Sequence, residues 1–197
     1  MKKLFISLLV CLTFFTFNQK SVAQVTNYYG TAESIAFNGV DYTLSWSSHP
    51  DTRYYKHEYL PKAEVADHFN TMLMLEFIQG DLSAKDAAQA QVKELIKRKK
   101  TDPVCNYDMV ESPDGQEFIL DFLMSDGKAD KVRLIEWNAY HYKAYTDKAG
   151  HKGVVMFALS HRAYGDDVSP FLKSLHEYRQ TNRNEIIKYP IPEIQIK

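Results

Sequence analysis

The sequence predicts an α+β fold, an antiparallel sheet of about six to seven strands with helices packed on both faces. Three observations lead there. Strand-like runs are gathered into blocks on either side of a helical block instead of alternating with helices, which argues against a parallel sheet. Tight-turn sequences, Asn38-Gly39, Pro113-Asp114-Gly115, Asp126-Gly127 and Lys148-Ala149-Gly150, separate neighbouring strand runs as a meander requires. Two of those runs, Phe118 to Met124 and Val154 to Leu159, are apolar at nearly every position, so both of their faces need cover.

Residues 1–23 are predicted to be a targeting signal. Lys2 and Lys3 precede an apolar core from Leu4 to Phe17, and Ser21-Val22-Ala23 supplies small residues before a cut ahead of Gln24. That core is shorter than the roughly 18 to 20 residues that span a bilayer, and no later stretch is long and apolar enough, so export with cleavage is expected, with no transmembrane segment. Cys11 follows Val10 instead of a small residue, which argues against a lipid anchor. Residues 24–197 then form one domain, with an extended tail from about residue 188.

The full chain carries 24 basic and 25 acidic residues. The leader takes Lys2, Lys3 and Lys20 with it and no acid, leaving 21 against 25, a net charge of −4. Such a chain lacks the footprint of a general nucleic-acid binder. Cys105 is then the only thiol, so the fold must hold without an intramolecular disulfide.

In chain order, Ile35 to Phe37 and Val40 to Trp46 flank Asn38-Gly39 as a hairpin, because both turn residues accept the positive φ of a type I′ turn. Ser47 to Asp51 breaks the pattern, and Arg53 to Leu60 resumes it as a strand ended by Pro61. Val65, Phe69, Met72 and Leu73 fall at helical spacing, which predicts a helix running toward Gly80. Its second half, Met72 to Ile78, is apolar on nearly all sides and is compatible with a strand.

Ser83 with Asp86 three residues on predicts a capped second helix, closing on the cations Lys97 to Lys100 before Thr101-Asp102-Pro103. Four strands are expected next: 104–111, 116–125, 131–145 and 153–160. Ser169 before Pro170 predicts the start of a last helix carrying Phe171, Leu172, Leu175 and Tyr178, and Tyr189-Pro190-Ile191-Pro192 an extended tail.

This order resembles the PsbP/Mog1-like α/β/α sandwich. The resemblance rests on the strand from Tyr54 to Pro61, the segment His68-Phe69-Asn70-Thr71-Met72-Leu73, and the late meander followed by Ser169 to Tyr178. It extends over most of the mature chain as topology and carries no sharp motif. Members of that family range from photosystem accessory subunits to a Ran-binding factor and exported bacterial proteins, so it implies no single activity and transfers no site residue. An NTF2-like cone is the competing architecture, and the hairpin at Asn38-Gly39 speaks against it.

No chemical motif is complete. His49, Asp51, His57 and Glu58 cluster in sequence, but on a strand His57 and Glu58 point to opposite faces. His-Glu-x-x-His, paired-cysteine spacing, Gly-x-Ser-x-Gly and a phosphate-cradling loop are all absent, so no metal, catalytic residue or cofactor is expected. Aromatic content stands out instead. Trp137, Asn138, Tyr140, His141, Tyr142 and Tyr145 lie on one long strand expected to outrun its cover, and Tyr55 lies on another; tyrosine and tryptophan offer large contact area at little entropic cost.

The expectation is an exported, soluble, non-catalytic protein, monomeric or weakly dimeric. It would bind a peptide, glycan or small amphipathic ligand through this aromatic sheet surface. The alternative is an exported hydrolase using carboxylates such as Asp121 or Glu136 with a histidine such as His141.

Overall fold

A computed structural model describes residues 25–128 and 131–197. The proposed signal peptide lies outside the described residues. The chain forms one eight-stranded antiparallel sheet: β1 Ser34–Phe37, β2 Val40–Asp51, β3 Tyr54–Pro61, β4 Thr71–Gln79, β5 Asn106–Glu111, β6 Glu117–Lys128, β7 Lys131–Thr146 and β8 Lys152–Tyr164. Their spatial order is β1-β2-β3-β4-β8-β7-β6-β5, two four-stranded meanders joined where β4 pairs with β8. Among the described residues two helices complete it, α1 Ala84–Arg98 and α2 Val168–Lys188, the latter entered through a 3-10 turn at Gly165–Asp167.

This overturns the expected α+β sandwich of PsbP/Mog1 type. Among the described residues the sheet has eight strands, sheet predominates, and two helices are too few to make layers. The difference lies in the segment from Val65 to Gly80, expected as a helix. Its second half is not a helix but β4, paired on one side with β3 from Tyr54↔Ile78 to Tyr59↔Leu73 and on the other with β8 from Thr71↔His161 to Gln79↔Gly153. Burial on both faces removes the polar alternation that marks a strand, so an all-apolar run at the sheet centre reads as helix or strand alike.

The preceding loop, 62–70, carries an isolated bridge between Val65 and His68 and is pinned by Glu64, whose carboxylate accepts the Asn70 and Thr71 N–H groups.

Other elements follow their local chemistry. Asn38 (φ 49°) and Gly39 (φ 75°) both take the positive φ that their hairpin demands. Ser83 accepts the Asp86 N–H while the Asp86 carboxylate answers the Ser83 backbone, a reciprocal cap. Several boundaries move, β8 running on to Tyr164 among them. β2 runs on to Asp51, through the predicted break. β6 continues through the predicted Asp126-Gly127 turn, with a register shift there, to the Lys128↔Lys131 pair. α2 begins at Val168, ahead of the predicted Ser169 cap, because the 3-10 turn already points the chain into it, so Pro170 falls inside the first turn, where it is tolerated.

Alternation divides the sheet into two buried faces. On one, Phe118, Leu120, Phe122, Tyr142, Val154 and Met156 pack beneath α1. On the other, Leu73, Leu75, Phe77, Trp137, Ala139, Val155, Phe157 and Leu159 pack beneath α2, Tyr28 and Tyr29, and the C-terminal tail. The C-terminal tail closes this second face: Tyr189 stacks on Phe157, Ile194 and Ile196 are buried, and Gln195 and Lys197 donate backbone hydrogen bonds to the carbonyls of Tyr29 and Tyr28.

Cover of the α1 face is incomplete. α1 lies over β5, β6, β7 and the start of β8 at Val154 and Met156, while further along β8 and its β4 and β3 neighbours the 62–70 loop closes down, burying Phe69 with Leu60, Met72, Met74 and Ala158.

Candidate functional site

Between α1 and the 62–70 loop the sheet floor is open as a cleft of about 260 Å³. Its shape follows from register. Across the sheet run the rows Met72–Ser160–Asn138–Phe122 and Glu58–Met74–Ala158–Tyr140–Leu120, with Arg162–Glu136–Met124 beside them. On this face of β8 the central residues are Ala158 and Ser160, two of the smallest side chains available, between methionines on β4 and the longer Asn138 and Tyr140 on β7. A small pair flanked by large neighbours leaves a hollow. Gln91 of α1 and Ala66 and Phe69 of the loop form its walls.

The hollow is polar where a sheet centre is ordinarily apolar. Lys56 sits 2.8 Å from Glu58 and 3.8 Å from the buried Glu76. Burial opposes its charge, but Glu76 and Glu58 outweigh that, and the Lys56 pKa lies above the ordinary lysine value. Glu76 also accepts the Tyr54 hydroxyl at 2.6 Å and the Tyr140 hydroxyl at 3.4 Å. Burial first, and Glu76 second, push both phenols upward, so they remain protonated donors.

Arg162 donates to Glu136, and its guanidinium lies 4.2 Å from the centre of the Phe69 ring. Burial works against this charge as well, and Glu136 reverses the effect, leaving Arg162 raised. Asn138 donates from Nδ2 to the other Glu136 oxygen at 2.9 Å.

Ser160 is the exception in this network. It is 1% exposed, and its Oγ has no hydrogen-bond partner although it lines the cleft. A buried hydroxyl without a partner costs roughly 1–3 kcal/mol, so a packed, ligand-free role at this position would favour valine or alanine.

The residues singled out from sequence are placed very differently from the expected open aromatic surface. Trp137 is buried against Tyr178 of α2. Tyr142 is buried beneath α1, Tyr145 is bonded to Ile194 of the tail, and His141 donates to Glu117 at 2.6 Å. Tyr55, also buried, stacks on His49 with ring centres 3.9 Å apart. The long strand β7 pairs with β6 as far as Lys143 and with β8 from Leu134 to Thr146, and its expected overrunning end is covered, Tyr142 by α1 and Tyr145 by the tail. Only Asn138 and Tyr140 of the predicted set reach the cleft.

The hydrolytic set does not assemble either. Asp121 and His141 face α2, Asp121 held by Arg179 and Arg183, whereas Glu136 faces the cleft and is tied to Arg162. The early His49–Glu58 grouping also separates. His57 is buried against Tyr28, Tyr29 and Tyr59, away from Glu58, which stands beside Lys56. Among the described residues no group of three or more His, Cys, Asp or Glu side chains is placed to hold a metal ion, and no helix is long and apolar enough to cross a membrane. Cys105 is buried against the Leu95 carbonyl, and its thiol is pushed upward by that burial.

Lys56, Glu58, Met72, Met74, Ser160 and Arg162 were missed from sequence. A signal was available: with 71–79 taken as a strand, Met72, Met74 and Glu76 alternate against Leu73, Leu75 and Phe77, and a glutamate inside that run marks a face that is not simply core.

One protein-family model matches residues 29–191, a span that includes all eight strands and both helices. No curated protein and no solved structure matches the chain.

Proposed function

We propose that this chain, which belongs to the family matched over residues 29–191, is an exported, non-catalytic binding protein holding a small amphipathic ligand in the cleft between α1 and the 62–70 loop. The observation that carries this reading is Ser160, a buried hydroxyl without a partner, aimed into a hollow with methionines on one side and hydrogen-bonding groups on the other. Methionine side chains adapt to ligand shape, and the polar groups fix its orientation. Catalysis is disfavoured because the carboxylates that reach the cleft are paired with cations and no histidine lines it. Export rests on the charge and hydropathy pattern of residues 1–23.

Methionine methyl resonances test the proposal directly. Hexanol, taken as a minimal amphipathic probe, is expected to shift Met72, Met74 and Met124, which line the cleft, and to leave Met109 on the edge strand β5 unmoved. The Gln91→Trp variant, which plugs the cleft from the surface of α1, should abolish those shifts. Uniform shifts, or shifts that survive the plug, would refute the cleft as the binding site.

A further inference from the structure

We infer that the ligand of the cleft carries a cationic, hydrogen-bond-donating head, an amine in its ammonium form, on a short apolar body; this rests on the binding role proposed above. The charges of the cleft are unequal. Glu58 and Glu136 line the cleft with their partners Lys56 and Arg162, and the buried Glu76 stands behind Lys56 at 3.8 Å, so three carboxylates share two cations.

Both cations are committed. Lys56 lies between Glu58 and Glu76, and Arg162 is held by Glu136 and stacked on Phe69. A carboxylate or phosphate would find no unpaired base and would have to disrupt a partly buried ion pair to gain one, which is costly.

The unengaged hydrogen-bonding atoms point the same way. A carboxylate can only accept, so the bond from Asn138 Nδ2 to Glu136 fixes the orientation of the amide and turns Asn138 Oδ1, an acceptor, elsewhere. The Ser160 hydroxyl, without a partner, accepts as readily as it donates. On the outer side of Glu58, its β2 neighbour Trp46 is 44% exposed, an aromatic ring of the kind that attracts ammonium groups. Apolar surface for the rest of the ligand is supplied by Phe69, Met72, Met74 and Phe122.

The experiment compares hexylamine, hexanol and hexanoate, three ligands with one chain and three heads, by titration of the methionine methyl signals at neutral pH. Hexylammonium is expected to bind at least about tenfold more tightly than hexanoate, a preference that one excess carboxylate beside the cleft can supply. Glu58→Gln should erase most of that preference, and Gln91→Trp should weaken all three ligands together. Equal or tighter binding of hexanoate, or an ammonium preference indifferent to Glu58→Gln, overturns the inference. Shifts with hexanol but no ammonium preference overturn it while leaving the binding role standing, and silence from all three ligands overturns both.

Discussion

Lowering the pH is expected to unfold the protein through His57 before most of its carboxylates titrate. This imidazole is fully buried on β3 and holds the start of the described chain in place. The Tyr28 backbone N–H donates to His57 Nε2 at 3.1 Å, and Nδ1 lies 3.2 Å from the Tyr59 hydroxyl, which in turn meets Thr31. A backbone N–H can only donate, so Nε2 must be unprotonated and the ring neutral. Burial moves its pKa from the ordinary 6.5 down to about 4.

The unfolded chain therefore binds a proton that the folded chain refuses, and stability present above the unfolded value is lost as pH falls from 6.5 toward 4. A shift of that size corresponds to roughly 3 kcal/mol at most, and about 2 kcal/mol after discounting for solvent screening and relaxation. Urea denaturation at pH ~7 and ~4.5 measures it, compared with His57→Gln, whose amide oxygen can accept the Tyr28 N–H without titrating. The variant is less stable at neutral pH, but its loss between the two pH values should be smaller than that of the parent by about 2 kcal/mol. Equal losses in parent and variant would refute the assignment. His161, lowered by burial to about 4 where it packs against Phe171 and Tyr178 of α2, contributes with the same sign and remains in both proteins.

Two other substitutions probe the frame that holds the cleft. Gly153→Ala would place a methyl group 2.1 Å from the Ile78 carbonyl oxygen and 2.9 Å from the Phe77 ring, at the pairing that joins the two meanders. A thermal melt should show a loss of several kcal/mol, since backbone cannot yield there as a flexible side chain would; a loss under about 1 kcal/mol would mean that the β4–β8 junction is looser than described. Asp121→Asn removes the buried charge between Arg179 and Arg183, leaving both with the exposed Asp108 alone. Chemical denaturation should register a loss of about 3 kcal/mol, with α2 detaching first by hydrogen exchange.

How far the sequence reveals this molecule depends on whether a signal is local. The Asn38-Gly39 hairpin, the Ser83–Asp86 cap and the Pro113-Asp114-Gly115 turn were legible because each is dictated by residues in contact with one another along the chain. β4 was not, because what makes it a strand is its pairing with β3 and with β8, some 80 positions away. Aromatic residues on β7 misled for a related reason. Their cover comes from α1, α2 and a tail that returns from the far end of the chain, and no local pattern announces that return.

The site follows the same logic. Phe69 and Ala66, Glu58, Ser160 and Arg162 belong to three separate segments, and they become neighbours only once the meanders join at β4 and β8. What marks them is a mismatch between residue and position. Ala158 and Ser160 are too small for a sheet centre, Glu76 and Asn138 too polar, and Ser160 is left without the hydrogen bond that burial demands. Each departure weakens the fold locally by its own mechanism: a void, desolvation of a charge, an unmet hydroxyl. Their coincidence in one hollow, with the opposite face of the same strands packed by Leu73, Leu75, Val155, Phe157 and Leu159, separates a face that serves stability from one that gives some of it up. A bound ammonium would repair these defects together, by filling the space beside Ala158, donating to Ser160 or Asn138, and matching the unbalanced carboxylate.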